Sequence, residues 1–366
     1  MRTQAGAQGL MAVCVTLLMT LTTAGCPPPD DDEDGQPLRA AWIYIGTPGD
    51  VGWTFAHDQG RRDAEAAFEN LETTYVENVP EGGETTVELN KLVDEGYDII
   101  FTTSWGFMEQ THAVALENPD IYFEHCSGYM TADNMTNYFG RIYQARYLTG
   151  MVAGNMTTSN LIGYVAAFPI PEVIRGINAF TLGARSVNSS AVVMVQWTNT
   201  WFDPLAEGTA ANALITQGVD VMAQHQDSTA AVSAADDAGI YAIGYHSDMA
   251  GFAPDAVLTS AVWNWGTYYT ERIRAVSEDS WTNDPYWGGL DDGIVDYTPI
   301  ADAVPASVQS EVARARREIA AGELAVFEGP FNHQDGTAWK AAGESMTDDE
   351  MLNVMEFVEG VIGSIN

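Results

Sequence analysis

At two places in the sequence a polar side chain stands within three residues of an indole, Asp50 with Trp53 and Asn199 with Trp201. Both pairs fall in loop-like stretches, Gly46-Thr47-Pro48-Gly49-Asp50-Val51-Gly52-Trp53 and Asn199-Thr200-Trp201-Phe202-Asp203-Pro204. A loop has no core of its own to fill, so an indole there is costly exposed surface unless it covers something. Two such indoles facing across a cleft would sandwich a planar ring, and stacking of this kind contributes about 1–3 kcal/mol per base. Stacking alone accepts many rings. Selection needs hydrogen bonds at the ring edge, where a missing partner costs about 1–3 kcal/mol. Asp50, Asn199, His246 and Asp248 can supply these bonds, with His125 and Trp263 as further candidates at strand ends. Each has a plainer alternative: Asp50 as a helix cap, Asn199 as a turn residue, His125 as a satisfied core histidine, Trp263 as a plug in a sheet.

Other chemistries lack their signatures. Gly-x-Gly-x-x-Gly does not follow the first strand-like run, and there is no Walker loop and no Gly-x-Ser-x-Gly elbow. The six histidines never form H-E-x-x-H, although His225 and His246 could meet as metal ligands. No cofactor is expected. With 51 acidic and 15 basic residues the net charge is −36, a field that repels phosphate polymers and anionic membranes and reads as solubility. Cys14, Cys26 and Cys126 form no metal or disulfide spacing.

The elements that must position these side chains alternate. Short apolar runs at 41–45, 74–77, 99–102, 121–123, 162–166, 192–197, 219–223, 241–244 and 256–260 read as strands. Helical spacing occupies 60–71, 85–95, 145–156, 174–187, 206–217 and 229–238. Strict alternation implies parallel sheets covered on both faces, with ligand sites at the carboxyl ends of strands. At this length two lobes are expected: 39–154 with 261–289, and 155–260 with 290–366, the chain changing lobe near Asn155, Ser260 and Gly289.

Ahead of them, residues 1–26 read as an export signal: basic Arg2, an apolar run from Leu10 to Leu21, then Thr23-Ala24-Gly25 before Cys26. Ala24-Gly25-Cys26 resembles the end of a bacterial lipobox, which implies a lipid on the Cys26 thiol, although Thr23 stands where leucine is usual. Residues 27–38, proline-rich and acidic, read as an extended stalk. Membrane contact is expected through the lipid alone.

Long stretches of the chain resemble the basic membrane protein family of solute-binding lipoproteins, similar to type I periplasmic binding proteins. They are Gly49-Asp50-Val51-Gly52-Trp53-Thr54, Pro119-Asp120-Ile121-Tyr122-Phe123-Glu124-His125, the segment from Gly163 to Gly176, Asn199-Thr200-Trp201-Phe202-Asp203-Pro204, Gly244-Tyr245-His246-Ser247-Asp248 and Val262-Trp263-Asn264-Trp265-Gly266. The resemblance implies an α/β fold of two Rossmann-like lobes joined by a hinge, binding a purine base or nucleoside as a monomer and delivering it to an ABC permease. It implies Trp53 and Trp201 as stacking aromatics, Asp50 as the base-recognising acid, and His246 with Asp248 in a polar loop of the second lobe. Nucleoside-binding members tend to carry an acid at 246 and a lysine near 263. An imidazole and an indole here narrow the room for a sugar and favour a free base such as adenine. An imidazole also gives binding a route to pH sensitivity. Two other uses fit the same sequence: a lipoprotein that senses its ligand and signals, and a nucleoside-processing enzyme using Asp50, His125 and His246.

Overall fold

A computed structural model describes residues 37–365. The expected leader, the lipidation candidate Cys26 and the stalk up to residue 36 lie outside them. In chain order the first part builds β1 (Leu38–Ile43), α1 (Trp53–Ala67), β2 (Leu71–Val76), α2 (Gly83–Asp94), β3 (Ile99–Thr102), α3 (Met108–Glu117), β4 (Tyr122–Cys126) and β5 (Met135–Gly140). Then come α4 (Tyr143–Met156), β6 (Leu161–Ala166), α5 (Pro171–Val187), β7 (Val192–Trp197), α6 (Pro204–Thr216), β8 (Val221–His225), α7 (Ala230–Ala238), β9 (Tyr241–His246) and β10 (Val257–Trp263). The remainder is α8 (Trp265–Ser277), β11 (Tyr286–Gly288), β12 (Val295–Tyr297), α9 (Ala306–Ala320), a hairpin of β13 (Phe331–Asn332) and β14 (Ala338–Lys340), α10 (Asp348–Leu352) and β15 (Val361–Ile362).

The strands make two main sheets, ordered β11-β5-β4-β3-β1-β2 and β12-β10-β9-β8-β6-β7-β15. Within them every pairing is parallel except β12 on β10. Parallel strands need helices on both faces, so central strands are apolar throughout. Ala40 to Ile43 are accordingly all buried. On the outer face of the first sheet, Leu89, Leu92 and Val114 of α2 and α3 cover Ala41, Ile43 and Ile100. On the second, Ala211, Leu214, Val232 and Ala235 of α6 and α7 cover Val165 and Met222. A larger core runs from Trp42 and Phe101 through Trp265 and Tyr269 of α8 and Leu148 of α4 to Tyr164 and Val193, so the two sheets share one apolar interior.

Several elements differ from expectation. The first helix spans Trp53–Ala67 rather than 60–71, while β5, α3, α8 and α9 have no counterpart among the expected elements. Helix α4, assigned by sequence to the first lobe, packs on α5, α9, β10 and β12. The close approach to α5 holds it there, because a Cβ at Gly150 would collide with the Phe180 carbonyl. The change of lobe therefore falls before α4 rather than near Asn155. Likewise β10 stays in the second sheet through Trp263, so the return follows Trp263 rather than Ser260, with α8 packing on α1.

Candidate functional site

Between the carboxyl ends of the two sheets lies a cavity with about 410 Å³ of empty space. Ile45 follows β1, Ser104 and Trp105 follow β3, Ser127 follows β4, and Trp53 opens α1. From the other sheet come Glu172 in the first turn of α5, Trp201 after β7, His225 and Asp227 at the end of β8, and His246 at the end of β9. Carboxyl-end convergence is the usual location of ligand sites on parallel sheets.

The cleft is closed. Ser247 Oγ donates to the Val51 carbonyl, and a Cβ at Gly52 would strike the backbone of Asp227, so the loop after β1 presses directly on the second lobe. Val51 is held at φ 62°, an unusual conformation for a β-branched residue, at this same contact.

Each indole is placed by its own lobe. Trp53 Nε1 donates to the Thr103 carbonyl at 2.6 Å, which fixes the ring plane and leaves its π surface free of polar duty. Behind it Trp263, Trp265 and His57 form a column, with centroids 4.6 Å apart at 15° and 4.6 Å apart at 12°. Trp53 stands edge-to-face against that column at 5.7–5.8 Å. Trp201 packs edge-on against Phe168 at 5.0 Å, and its carbonyl accepts from the Asp227 N–H.

Burial sets the charges. Asp227 is pushed up to about 8 by loss of solvation, and Glu172 to about 7, burial outweighing the guanidinium groups of Arg175 and Arg146. His246 and His225 move well below the ordinary imidazole range, again through burial, with Arg146 adding to it. Near neutrality the second wall therefore offers largely uncharged acids and neutral imidazoles, groups that can both donate and accept. His246 Nε2 lies 3.0 Å from Asp227 Oδ1, without the alignment of a hydrogen bond, and His225 Nε2 lies 3.7 Å from Glu172 Oε1.

Of the ligand-binding residues expected from sequence, Trp53, Trp201 and His246 line this cavity, as does His225, which the sequence offered only as a metal ligand, whereas Asp50, Asn199, His125, Asp248 and Trp263 are not among its lining residues. Asp50 is buried and accepts from the N–H groups of Gly52, Thr54 and Phe55 at 2.8–3.0 Å, so it caps α1 and thereby sets the position of Trp53. Burial and nearby Asp227 raise it to about 7. Asn199, at φ 57°, is a turn residue whose N–H donates to the Ala167 carbonyl. His125 is buried, with Nδ1 at 2.9 Å from Thr102 Oγ1, and burial lowers it to about 3. Asp248 is exposed and accepts from the Ala250 N–H. Trp263 sits behind His246. The trio Asp50, His125 and His246 suggested for an enzyme does not converge on the cavity. Glu172, Asp227 and Ser127 were missed. Asp227 carried the readable signal, an acid just beyond a strand, hidden because that strand runs to His225 rather than Ala223.

Residues 38–328 match the family model Bmp, described as ABC transporter substrate-binding protein PnrA-like. A protein of Brucella abortus (strain 2308) named a purine-binding protein is 45% identical over 325 residues, 88% of this chain and 93% of its own. A Haloferax volcanii protein, provisionally named an ABC transporter glucose-binding protein, is 42% identical over 332 residues, 90% of this chain and 83% of its own. Among solved structures, a solute-binding protein of an ABC transporter system from Aeropyrum pernix K1 superposes with a TM-score of 0.69 at 18% identity, covering 79% of this chain and 93% of that one. A transcriptional activator of the comK gene from Bacillus halodurans gives 0.68 at 24% identity, covering 77% and 97%. These superpositions bear on the fold alone, two parallel-sheet lobes of the periplasmic binding protein kind.

Proposed function

This chain belongs to the Bmp family of PnrA-like ABC transporter substrate-binding proteins, and from that premise we propose that it captures a purine base between its lobes and presents it to a membrane permease. The observation that carries the reading is the presence of Trp53 and Trp201, one from each lobe, on the walls of one closed cavity. An indole contributed to the cavity by each lobe suits a flat ligand. The second wall fits a heterocycle edge, because Asp227, raised to about 8 by burial, is mainly protonated near neutrality and can both donate and accept. The purine named for the Brucella abortus relative points the same way. The imidazole that His246 brings to the cavity wall, where nucleoside-binding members tend to carry an acid, favours a base over a nucleoside.

In this reading no bond is made or broken. The lobes, 39–154 with 261–289 and 155–260 with 290–366 adjusted for the packing of α4 and β10, close on the ligand and offer the permease a changed surface. Export through the leader and a lipid on Cys26 would hold the receptor at the membrane.

Calorimetric titration of the full chain with adenine, hypoxanthine, guanine, xanthine, adenosine and glucose tests the proposal. Tight binding of at least one free purine with no heat from glucose is expected. Binding of glucose with silence from every purine would overturn it, and release of ribose from adenosine would make the protein an enzyme.

A further inference from the structure

His246 reaches the cavity from the end of β9, held at φ 68°, and Trp263 at the end of β10 stands behind it. Trp263 Nε1 lies 3.1 Å from His246 Nδ1. An indole N–H only donates, so Nδ1 must accept. An imidazole that accepts at Nδ1 is neutral and carries its one proton on Nε2. Neither ring has room to swing: Trp263 is stacked on Trp265 and edge-on to Phe139 at 5.2 Å, while the His246 ring lies 3.6 Å from that of Tyr245.

The other side of the imidazole is the side the ligand meets. Titratable and charged groups approach it from every neighbouring element: His57 from α1, Arg146 from α4, His225 and Asp227 from the end of β8, and Tyr245 from its own strand. Of these only Asp227 comes within hydrogen-bond distance of Nε2, and it is out of line. Arg146 repels a second proton on the ring, and burial acts in the same direction. The result is an N–H donor in a cavity wall, 2% exposed and without an aligned partner.

We propose that Trp263 is a positioning residue that locks His246 as a neutral Nε2–H donor, and that this donor selects ligands presenting an unprotonated ring nitrogen or a carbonyl oxygen at that point of their edge. A carboxylate at 246 would accept instead, so the imidazole inverts the polarity of this contact. The choice of ligand rests on the purine reading above, whereas the tautomer does not. The lock also closes the route to pH sensitivity that an unconstrained imidazole would offer.

Two measurements separate these halves. In ligand-free protein labelled with 15N-histidine, long-range proton–nitrogen correlation should find His246 in the Nε2–H form between about pH 5 and 8. Trp263→Phe should lose that form to the Nδ1–H tautomer or the cation. An Nδ1–H or doubly protonated ring in the wild type, or no change in the variant, overturns the lock, and the wild-type spectrum stands even if the variant fails to fold. Calorimetry with adenine and its 1-, 3- and 7-deaza analogues then tests selection. One analogue, lacking the nitrogen that faces Nε2, should bind about tenfold more weakly than adenine. That penalty should vanish in His246→Phe. Equal binding of adenine and all its deaza analogues overturns the selection. Silence from every purine overturns the purine reading and the selection together, while the ligand-free spectrum still decides the tautomer.

Discussion

From the first lobe the cavity receives Ile45, Trp53, Ser104, Trp105 and Ser127; from the second it receives Trp201 together with Glu172, His225, Asp227 and His246. No side chain on the first wall changes charge in the physiological range, while four of the five on the second are acids or imidazoles. The first wall can press on a flat ligand and exclude water, but it has little with which to tell one ring from another. The second wall can do both. Capture and identification are thus divided between the lobes, and closure brings them to the same molecule.

The sharpest way to break this division is to prevent closure without touching either wall's chemistry. Gly52→Ala places a methyl against the Asp227 backbone, and we expect affinity for every purine to fall by roughly a hundredfold or more as the closed form becomes inaccessible. The melting temperature should hardly move, because the added methyl meets only the Asp227 backbone and leaves the shared apolar interior untouched; calorimetry and thermal melts on one sample check both. Trp201→Ala should remove about 1–3 kcal/mol of binding nearly equally from all purines, since stacking does not discriminate. A loss confined to one purine would contradict the division.

Substitution on the second wall should act differently. Asp227→Asn is expected to change the ranking of purines by about 1 kcal/mol. The same residue governs a pH effect. Asp227 is raised to about 8, and Asp50 and Glu172 to about 7, so from about pH 4 upward the closed protein holds more protons than the unfolded chain. Stability should therefore fall as pH rises from about 4 to about 8 and level off beyond, limited by the free energy of closure because an opened cleft rehydrates the acids. Thermal melts should show the slope, and Asp227→Asn should flatten it. The smallest effect on recognition is expected from Asp50→Ala, which costs about 1 kcal/mol of stability as a lost cap. Purine ranking should stay unchanged, as measured by competition.

The sequence displayed the indoles of both walls more clearly than the acids of the second, for a physical reason. Trp53 and Trp201 stand just beyond apolar strands in stretches that need no indole, so surplus is visible. His225 ends a strand that is buried through its polar end, Gln224 and His225, and Asp227 lies two residues beyond it, whereas a reading based on apolar runs stops at Ala223. Glu172 fell two residues ahead of the helix expected over 174–187, whereas that helix begins at Pro171 and holds Glu172 in its first turn. The opposite error befell Asp50, His125 and Trp263, which stand at strand ends yet face backbone or core: three amide donors satisfy Asp50, Thr102 pairs with His125, and Trp265 stacks on Trp263. Alternation of strands and helices was legible from β1 to β10 apart from α3 and β5, and not beyond. The side of the molecule on which α4 packs was not, because it depends on glycines that allow contact with α5.

The most direct test of the account is a crystal structure of the protein with a purine base bound. The ring should lie between the indoles of Trp53 and Trp201, with its edge toward His246 and Asp227. A purine seated elsewhere, or bound with either indole turned away from its face, would contradict the account.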